Sequence, residues 1–337
     1  MTSSDWTRPG AVEEAEGVFR IPLPLPNDGL RTVNVYVIPG PDGVVVVDSG
    51  WAVDEGRVAL AAGLAEIGLS VGDISSFLVT HIHRDHYTLG VELRREFGMQ
   101  LSLGEGERET MDVAVQPGSN ELTPQVRHMR ELGAFALADV LEAVEVFPDG
   151  AHFEPPDVWL DGSEVIGANG RLLDVVPTPG HTHGHVVFHD GGNRLLFAGD
   201  HVLPAITPSI GFEPVRASNP LGDYLGSLAR VRALPDAMLL PAHGPVGPSV
   251  HARVDQLVEH HGVRLDQIAA AVRAGGDTAF EVASALAWTR HERTLDELNA
   301  FNQMLAIAET HAHLRLLDAQ GRVFESVEDG VFHFRSL

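Results

Sequence analysis

An apolar run that ends in a cluster of metal-binding side chains constrains this chain more than any other feature. Residues 75–79, SSFLV, lead directly into THIHRDH, which holds His81, His83, Asp85 and His86. In an extended segment residues i and i+2 point to the same side, so His81 and His83 can bind one ion together. Asp85 and His86 follow a turn later and can face a second ion. A buried strand gives such ligands a rigid base at an open edge.

Three further apolar runs end in the same way. PTPGHTHGH brings His181, with His183 and His185 close by, LLFAGD brings Asp200, and LLPAHG brings His243. Folds of the α/β class bind ligands at the carboxyl ends of their strands. We therefore expect these turns to meet at one edge of a sheet.

The seven side chains divide into two predicted metal sites. The first is neutral and consists of His81, His83 and His181; the second carries one negative charge and consists of Asp85, His86 and His243. Two dications side by side need an anion between them, which Asp200 can supply by bridging with its two oxygens. His185 is expected to orient a ligand by hydrogen bonding, with simple packing as the alternative.

The predicted elements follow the order of an α/β protein. Strands within residues 17–47, a helix over residues 53–68 and a buried strand at ISSFLVT precede the histidine cluster, which we interpret as a polar loop. Four more strands are predicted after it, over residues 171–178, 185–190, 193–200 and 237–244.

Two segments break this rhythm. Residues 104–148 predict a helical insertion that either covers a cleft or packs as ordinary core. From about residue 249 the pattern predicts mostly helix, and RVFESVEDGVFHF predicts a closing hairpin around Asp329-Gly330. Three helices and a hairpin resemble a small winged-helix unit.

These patterns predict a flexible N-terminus over residues 1–16, a catalytic domain over 17–248 and a winged-helix-like C-terminal domain over 249–337. Four histidines of the C-terminal domain lie on predicted helices and are expected to be structural or solvated: His260, His261, His311 and His313. The apolar positions of this domain can pack on the catalytic domain or on a second subunit, so a homodimer is one expectation.

Composition narrows the function. The 337 residues carry 23 basic against 47 acidic side chains, net −24, and the sequence contains neither Lys nor Cys. Such an acidic chain makes nucleic acid an unlikely partner, and any transition metal must be held by imidazole and carboxylate. The polar N-terminus does not resemble a signal peptide, and no apolar run reaches the roughly 18 residues of a membrane span. We expect a soluble, cytoplasmic protein without a membrane partner.

Five short motifs occur in order between residues 17 and 248: VVVVDSG, THIHRDH, TPGHTHGH, FAGD and PAHG. THIHRDH resembles the His-x-His-x-Asp-His motif of the metallo-β-lactamase-fold hydrolases, and the others resemble that family's remaining motifs. The resemblance implies an αββα sandwich with two metals at its edge, divided among the seven ligands as above. It implies that Asp48 supports the metals without binding them. The strands at the start and the helical tail resemble the subgroup with a C-terminal winged-helix-like domain.

The resulting hypothesis is a hydrolase with two divalent metals, zinc by default and iron or manganese as alternatives. A bridging hydroxide, formed from water whose pKa the metals lower towards about 7, attacks a small ester or thioester of the acyl-CoA or acyl-glutathione type. Asp85 and Asp200 are the predicted catalytic carboxylates, Asp85 by steering a proton. True β-lactamases usually place a Cys ligand in one site, so its absence weighs against antibiotic hydrolysis.

Two other interpretations stay open. A ribonuclease or phosphodiesterase is favoured by the winged-helix-like tail, since relatives of that subgroup include RNA-cleaving enzymes. The charge opposes it, because residues 251–337 hold 8 Arg and 13 acidic residues, net −5. A non-enzymatic role in partner binding is the third, and the intact ligand set argues against it.

Overall fold

The apolar runs of the sequence form two large β-sheets in a computed structural model of the chain, which describes residues 5–26, 28–116, 122–143 and 152–337. The first sheet has seven strands in chain order: β1 Val12–Ala15, β2 Val18–Pro24, β3 Thr32–Gly40, β4 Gly43–Val47, β5 Ile74–Leu78, β6 Gln100–Gly104 and β7 Val158–Leu160. The second has the order β12-β11-β10-β9-β8: β8 Val165–Ala168, β9 Arg171–Pro177, β10 Val186–Asp190, β11 Leu195–Gly199 and β12 Met238–Pro241.

Both faces of β4 are buried, as its run of valines predicts. Val44 and Val46 belong to an apolar cluster on one face of the first sheet, and Val45 and Val47 belong to a cluster shared with the second sheet. Successive side chains of a strand point to opposite faces, so one run fills two layers of core. Burying one such side chain fully contributes roughly 1.5–3 kcal/mol.

Nine α-helices occur in the described part of the chain: α1 Asp54–Glu66, α2 Arg84–Phe97, α3 Arg108–Ala114, α4 Thr123–Glu131, α5 Phe135–Glu142, α6 Pro220–Ala233, α7 Val250–Arg273, α8 Ala279–Ser284 and α9 Ala300–Ala319. Helix α1 buries Leu60 and Leu64, and α2 buries Leu89 and Leu93, in the cluster on the outer face of the first sheet. A helical layer therefore covers that face, and the predicted α/β architecture is confirmed.

Parallel pairing brings several strand ends to common edges. Strands β4, β5, β6 and β7 pair in parallel, and so do β11 and β12. The other pairs within these two sheets are antiparallel. Parallel neighbours present their carboxyl ends at the same edge, which is where the predicted ligands follow.

Two local expectations differ from the structure, and one helix was not predicted. The polar loop predicted after β5 is wrong beyond His83, because α2 already begins at Arg84. Residues 12–15, inside the segment expected to be a flexible N-terminus, pair with β2 as β1. Helix α6 had no counterpart in the sequence prediction.

Within residues 104–116 and 122–143, the described part of the helical segment predicted over 104–148, there are three separate helices, α3, α4 and α5. The last two are divided at Gly133, whose φ of +82° ends α4. A left-handed residue after a helix is typical of a glycine C-terminal cap. The end of the predicted insertion, residues 144–148, lies outside the described residues.

The chain divides into two compact units. The first contains the ranges Met1–Val115, Gly150–Pro208 and Ser227–Val254, and therefore both large sheets. The second contains Gln116–Asp149, Ser209–Gly226 and Asp255–Leu337.

The second unit is mostly helical and ends in a two-stranded sheet, β13 Val323–Glu328 and β14 Val331–Ser336. The predicted hairpin is confirmed, with Asp329 and Gly330 at φ of +50° and +82°. Positive φ at both central residues is the signature of the type I′ turn. No described helix combines the length and the apolar character needed to span a membrane.

Candidate metal centre

The strand β5 and the helix α2 position the first four predicted ligands. After Leu78 the chain leaves the sheet, carries His81 and His83 on a short extended stretch, and then turns into α2. Asp85 and His86 therefore lie in the first turn of a helix. The pair and the helical turn approach one another because His83 directly precedes α2 as its N-terminal cap.

The other three ligands follow strands of the second sheet. His181 lies in the connection between β9 and β10, Asp200 follows β11 and His243 follows β12. Gly199, with φ of +50°, precedes Asp200 at a crowded point: a Cβ there would lie 2.6 Å from Thr80 Oγ1 and 2.7 Å from His185 Nε2. Only glycine lets the β11 end approach the β5 end this closely.

Three imidazoles form the first group. His81 Nε2 lies 2.9 Å from His83 Nδ1, and His181 Nε2 lies 3.1 Å from the same Nδ1. One donor atom from each of these residues and one from Asp200 lie within 4.8 Å of one another. The first predicted neutral site is thus assembled at one point.

A carboxylate and two imidazoles form the second group. His243 Nε2 lies 3.4 Å from Asp85 Oδ2, and His86 Nε2 lies 3.7 Å from the same oxygen. Donor atoms of these three residues also lie within 4.8 Å of one another.

The two carboxylate oxygens of Asp200 lie near different groups. Its Oδ2 lies 3.5 Å from His181 Nε2 in the first group. Its Oδ1 lies 3.4 Å from His243 Nε2 and 3.7 Å from His86 Nε2 in the second. One carboxylate thus spans the two groups, as a bridging anion must.

Hydrogen bonds fix which ring nitrogens face the centre. Asp48 accepts from Thr80 Oγ1 at 2.9 Å, and that hydroxyl in turn lies 3.1 Å from His81 Nδ1. Because the Thr80 proton goes to Asp48, the hydroxyl oxygen accepts from His81 Nδ1. The lone pair of His81 is therefore on Nε2, which faces the group.

The second group is oriented in the same manner. His86 Nδ1 donates to Asp48 Oδ2 at 3.0 Å, and His243 Nδ1 donates to the carbonyl of Thr32 at 2.8 Å. Metal-binding histidines characteristically donate their other N–H to a carboxylate or a carbonyl. Three atoms of the centre, all buried, have no hydrogen-bond partner among the described residues: His86 Nε2, His243 Nε2 and Asp200 Oδ1. This donor set suits a divalent cation.

The two groups differ in their electrostatics. Burial and the neighbouring His181 lower the pKa of His83 to about 3, and burial with His86 holds the pKa of His81 well below its usual value. Burial would also lower the pKa of His86, but the carboxylates of Asp85 and Asp48 outweigh it and raise that pKa to about 10. His81 and His83 therefore resist protonation, whereas His86 attracts positive charge.

Asp85 and Asp200 stay ionised despite their burial. Burial acts to raise the pKa of each carboxyl, and the histidines of the second group, His86 and His243, more than offset it. The side chain of Asp85 is 17% exposed, against 9% for Asp200 and at most 3% for the histidines of the second group. Asp85 is thus the ionised oxygen donor most accessible from solvent.

Asp48, expected to support the centre, is 2% exposed and has a φ of +58°. Aspartate tolerates this left-handed conformation better than most residues. Its carboxylate contacts His86 directly and reaches His81 through Thr80. It therefore makes hydrogen bonds to one predicted ligand of the second group and, through Thr80, to one of the first.

His185 contacts two residues of the centre, Asp200 and His81. Its Nε2 accepts from the Asp200 backbone N–H at 3.2 Å, so its Nδ1 donates to Thr178 Oγ1 at 2.9 Å. Its ring also stacks on that of His81, with centroids 5.0 Å apart. Tyr87, next to the cluster, is buried and donates its hydroxyl to the carbonyl of Glu154 at 2.6 Å.

Sequence reasoning missed one buried acid. Glu107 Oε1 accepts from the hydroxyl of Thr182 at 2.5 Å and from the backbone N–H of Ile82 at 3.4 Å. It therefore links the loop that carries His81 to the loop that carries His181. A glutamate in an acidic helical stretch gives no sequence signal for this, because its partners are distant in the chain.

Comparison with known proteins agrees with this geometry. A sequence model of the metallo-beta-lactamase superfamily matches residues 28–243, which hold all seven predicted ligands. The chain belongs to the metallo-beta-lactamase superfamily. Members of this superfamily bind divalent metals, and the protein is accordingly a metal-dependent hydrolase.

Relatives from this superfamily cover nearly the whole chain. The probable metallo-hydrolase YqjP of Bacillus subtilis is 24% identical over 96% of this chain and 98% of its own. The crystal structure of a metallo-beta-lactamase family protein from Thermus thermophilus is 28% identical, with a TM-score of 0.78, over 96% of this chain and 99% of the other. A hydroxyacylglutathione hydrolase of Aeromonas salmonicida is 40% identical, but over only 24% of this chain and 29% of its own.

Proposed function

We propose that this metallo-beta-lactamase superfamily member holds two divalent metal ions and hydrolyses a small thioester or ester. The observation that carries the proposal is the placement of Asp200, whose two oxygens face different ligand groups at 3.4–3.7 Å. One ion would be held by His81, His83 and His181, and the other by Asp85, His86 and His243.

Two such ions would activate water as a nucleophile near neutral pH and polarise the bond to be cleaved. The residues of the chain supply the rest. Asp200 lies between the groups and offsets the repulsion of two neighbouring cations. Asp85, ionised and the more exposed of the two carboxylates, can accept a hydrogen bond from an incoming water and steer its proton.

Zinc is the metal we favour. The donors are imidazole nitrogens and carboxylate oxygens, and the chain has no Cys. Iron and manganese accept the same donors. Hydrolysis needs no change of oxidation state, so a metal without redox chemistry, such as zinc, is sufficient.

A thioester of the acyl-CoA or acyl-glutathione type is the favoured substrate. The local likeness to a hydroxyacylglutathione hydrolase supports this class. The net charge of −24 and the acidic C-terminal residues argue against RNA, because a nucleic-acid module is expected to be basic. The winged-helix-like organisation of the C-terminal residues stays a prediction and is the one feature that favours a ribonuclease.

The test is thiol release from a panel of acyl-CoA and acyl-glutathione thioesters by zinc-loaded protein. Release by wild type, and none by His83→Ala, is the expected result. The chain has no Cys and contributes no thiol background. Silence across the panel from protein shown to hold two ions would overturn the thioester assignment, and esters and RNA would then be assayed with the same pair of proteins.

A further inference from the structure

A second group of histidines lies in the second unit, on two helices. The sequence pattern predicts that these histidines are structural or solvated. His260 and His261 lie on α7, and Glu309 and His313 lie on α9. All four fall outside residues 28–243, the range that the superfamily model matches.

Hydrogen bonds fix the state of the His261 ring. His313 Nδ1 lies 2.7 Å from the backbone carbonyl of Glu309, which can only accept, so this nitrogen carries a proton. In the neutral ring, His313 Nε2 is then an acceptor, and it lies 3.2 Å from His261 Nδ1. His261 therefore donates through Nδ1, and its Nε2 keeps a lone pair. A charged ring at this place would be buried beside two other histidines, which favours the neutral form.

That lone pair is buried and has no hydrogen-bond partner in the part of the chain that the structure describes. His261 itself is fully buried. Its ring packs edge-on against Tyr224 at 5.5 Å and against His260 at 5.3 Å between centroids, which restricts its rotation. Buried acceptors are normally satisfied, so an unpartnered one points to a missing donor or cation.

Two neighbours complete a set of donors. One ligand atom from each of His260, His261 and Glu309 lies within 4.8 Å of the other two. His261 is buried, Glu309 is partly buried and His260 is exposed, so solvent reaches one side of the group. Two imidazoles and one carboxylate suit zinc and similar transition metals, whereas calcium and magnesium prefer oxygen donors.

We propose that His260, His261 and Glu309 form a further metal site, for a single divalent cation of the zinc type. The cation would join α7 to α9, and water would fill its remaining coordination positions. His313 would be a positioning residue, because it accepts from His261 Nδ1 and so leaves Nε2 as the nitrogen with the free lone pair. This carboxylate–histidine site is separate from the centre that binds substrate.

Arg264 sets a limit on the affinity of this site. Its charge acts on the carboxyl of Glu309 and on His313. The guanidinium is engaged elsewhere, since it lies 4.1 Å over the Trp288 ring and donates to the carbonyl of Ala287 at 3.1 Å. A fixed cation nearby weakens binding of a second one, so we expect this site to bind zinc less tightly than the superfamily centre.

The test is the number of zinc ions bound per full-length chain, measured by equilibrium dialysis of chelator-treated protein followed by elemental analysis. His260→Ala and Glu309→Gln should each bind one ion fewer than wild type. Two matched controls, the exposed neighbour Glu259→Gln and the exposed His291→Ala, should bind the wild-type number. Because only the difference between proteins is used, the result does not depend on how many ions the superfamily centre holds.

Equal zinc content in wild type, both variants and both controls would overturn the site. A second measurement guards against a variant that misfolds. Cobalt added to wild type should give an absorption band that is missing from the His260→Ala spectrum, while circular dichroism of the two proteins stays the same. Cobalt spectra that are identical in two equally folded proteins would also overturn it.

Discussion

The two ligand groups of the superfamily centre use the same imidazole side chains in opposite electrostatic settings. In the first group the pKa values of His81 and His83 are lowered, although the carboxylate of Asp200 lies 3.5 Å from His181. His86 and His243 face Asp85 and Asp200, and their pKa values are raised. In the first group, His81 and His83 are neutral and can bind a cation without losing a proton. In the second group, a cation must displace the proton of His86. Carboxylate placement, not ring chemistry, therefore distinguishes the two adjacent groups.

Removal of the carboxylate shared by both groups should have the largest effect. Asp200→Ala is expected to lower thioester hydrolysis by more than about 10³-fold, the upper range for loss of one charge-stabilising group, and to remove at least one ion. Kinetics and elemental analysis on the same preparation measure both. Asp174→Ala, an exposed aspartate on β9, is the control. An Asp200→Ala protein with wild-type rate and metal content would contradict the bridging role.

Loss of one histidine from either group should separate the two ions. His83→Ala is expected to lose the ion of the first group and His243→Ala that of the second, so each variant keeps one ion and little activity. Zinc content at a fixed low concentration of free zinc checks this. If both variants kept both ions, the assignment of these side chains as ligands would be wrong.

Asp48 contacts His86 directly and His81 through Thr80, and removal of its charge should have an intermediate effect. Asp48→Asn removes the acceptor charge that orients His86 and, through Thr80, His81. Loss of such a partner typically costs about 10–100-fold in metal affinity. Zinc competition with a chelator should show weaker binding in both groups. An effect confined to one group would show that Thr80 orients His81 without Asp48.

Proton release should show the smallest effect and the clearest difference between the groups. With a pKa of about 10, His86 is protonated at pH 8 in the metal-free protein, so zinc binding to the second group releases a proton. His83, with a pKa of about 3, has none to release at pH 8. Release should therefore fade as pH rises through 10, and affinity of the second group should rise over that range.

Titration calorimetry in buffers of different ionisation heat measures this release. Wild type is expected to release about one proton more than His243→Ala, which lacks a complete second group. Equal release by the two proteins would remove the electrostatic distinction between the groups.

The sequence predicted which side chains would come together because most of them follow an apolar strand. His81 follows β5, Asp200 follows β11 and His243 follows β12, and strand ends of an α/β sheet converge whatever the connecting segments do. The uninterrupted valine run 44–47 likewise predicted a strand that is buried on both faces. Local patterns suffice where the fold itself brings distant residues together.

Other features depend on contacts that no local pattern encodes. Thr32 orients His243 through its backbone carbonyl, so its side chain gives no signal. Glu107 links two loops through Ile82 and Thr182, which is 75 residues away. Helix α2 begins inside the ligand motif, and Asp85 and His86 lie in its first turn. The run of polar residues there has the sequence pattern of a loop, so the start of the helix was not predicted.

The most direct test of the two-metal account is the rate of thioester hydrolysis as zinc is returned to chelator-treated protein. We expect no activity when elemental analysis finds no zinc, recovery as zinc is added to wild type, and no recovery in Asp200→Ala. Full activity in wild-type protein shown to be free of metal would contradict it.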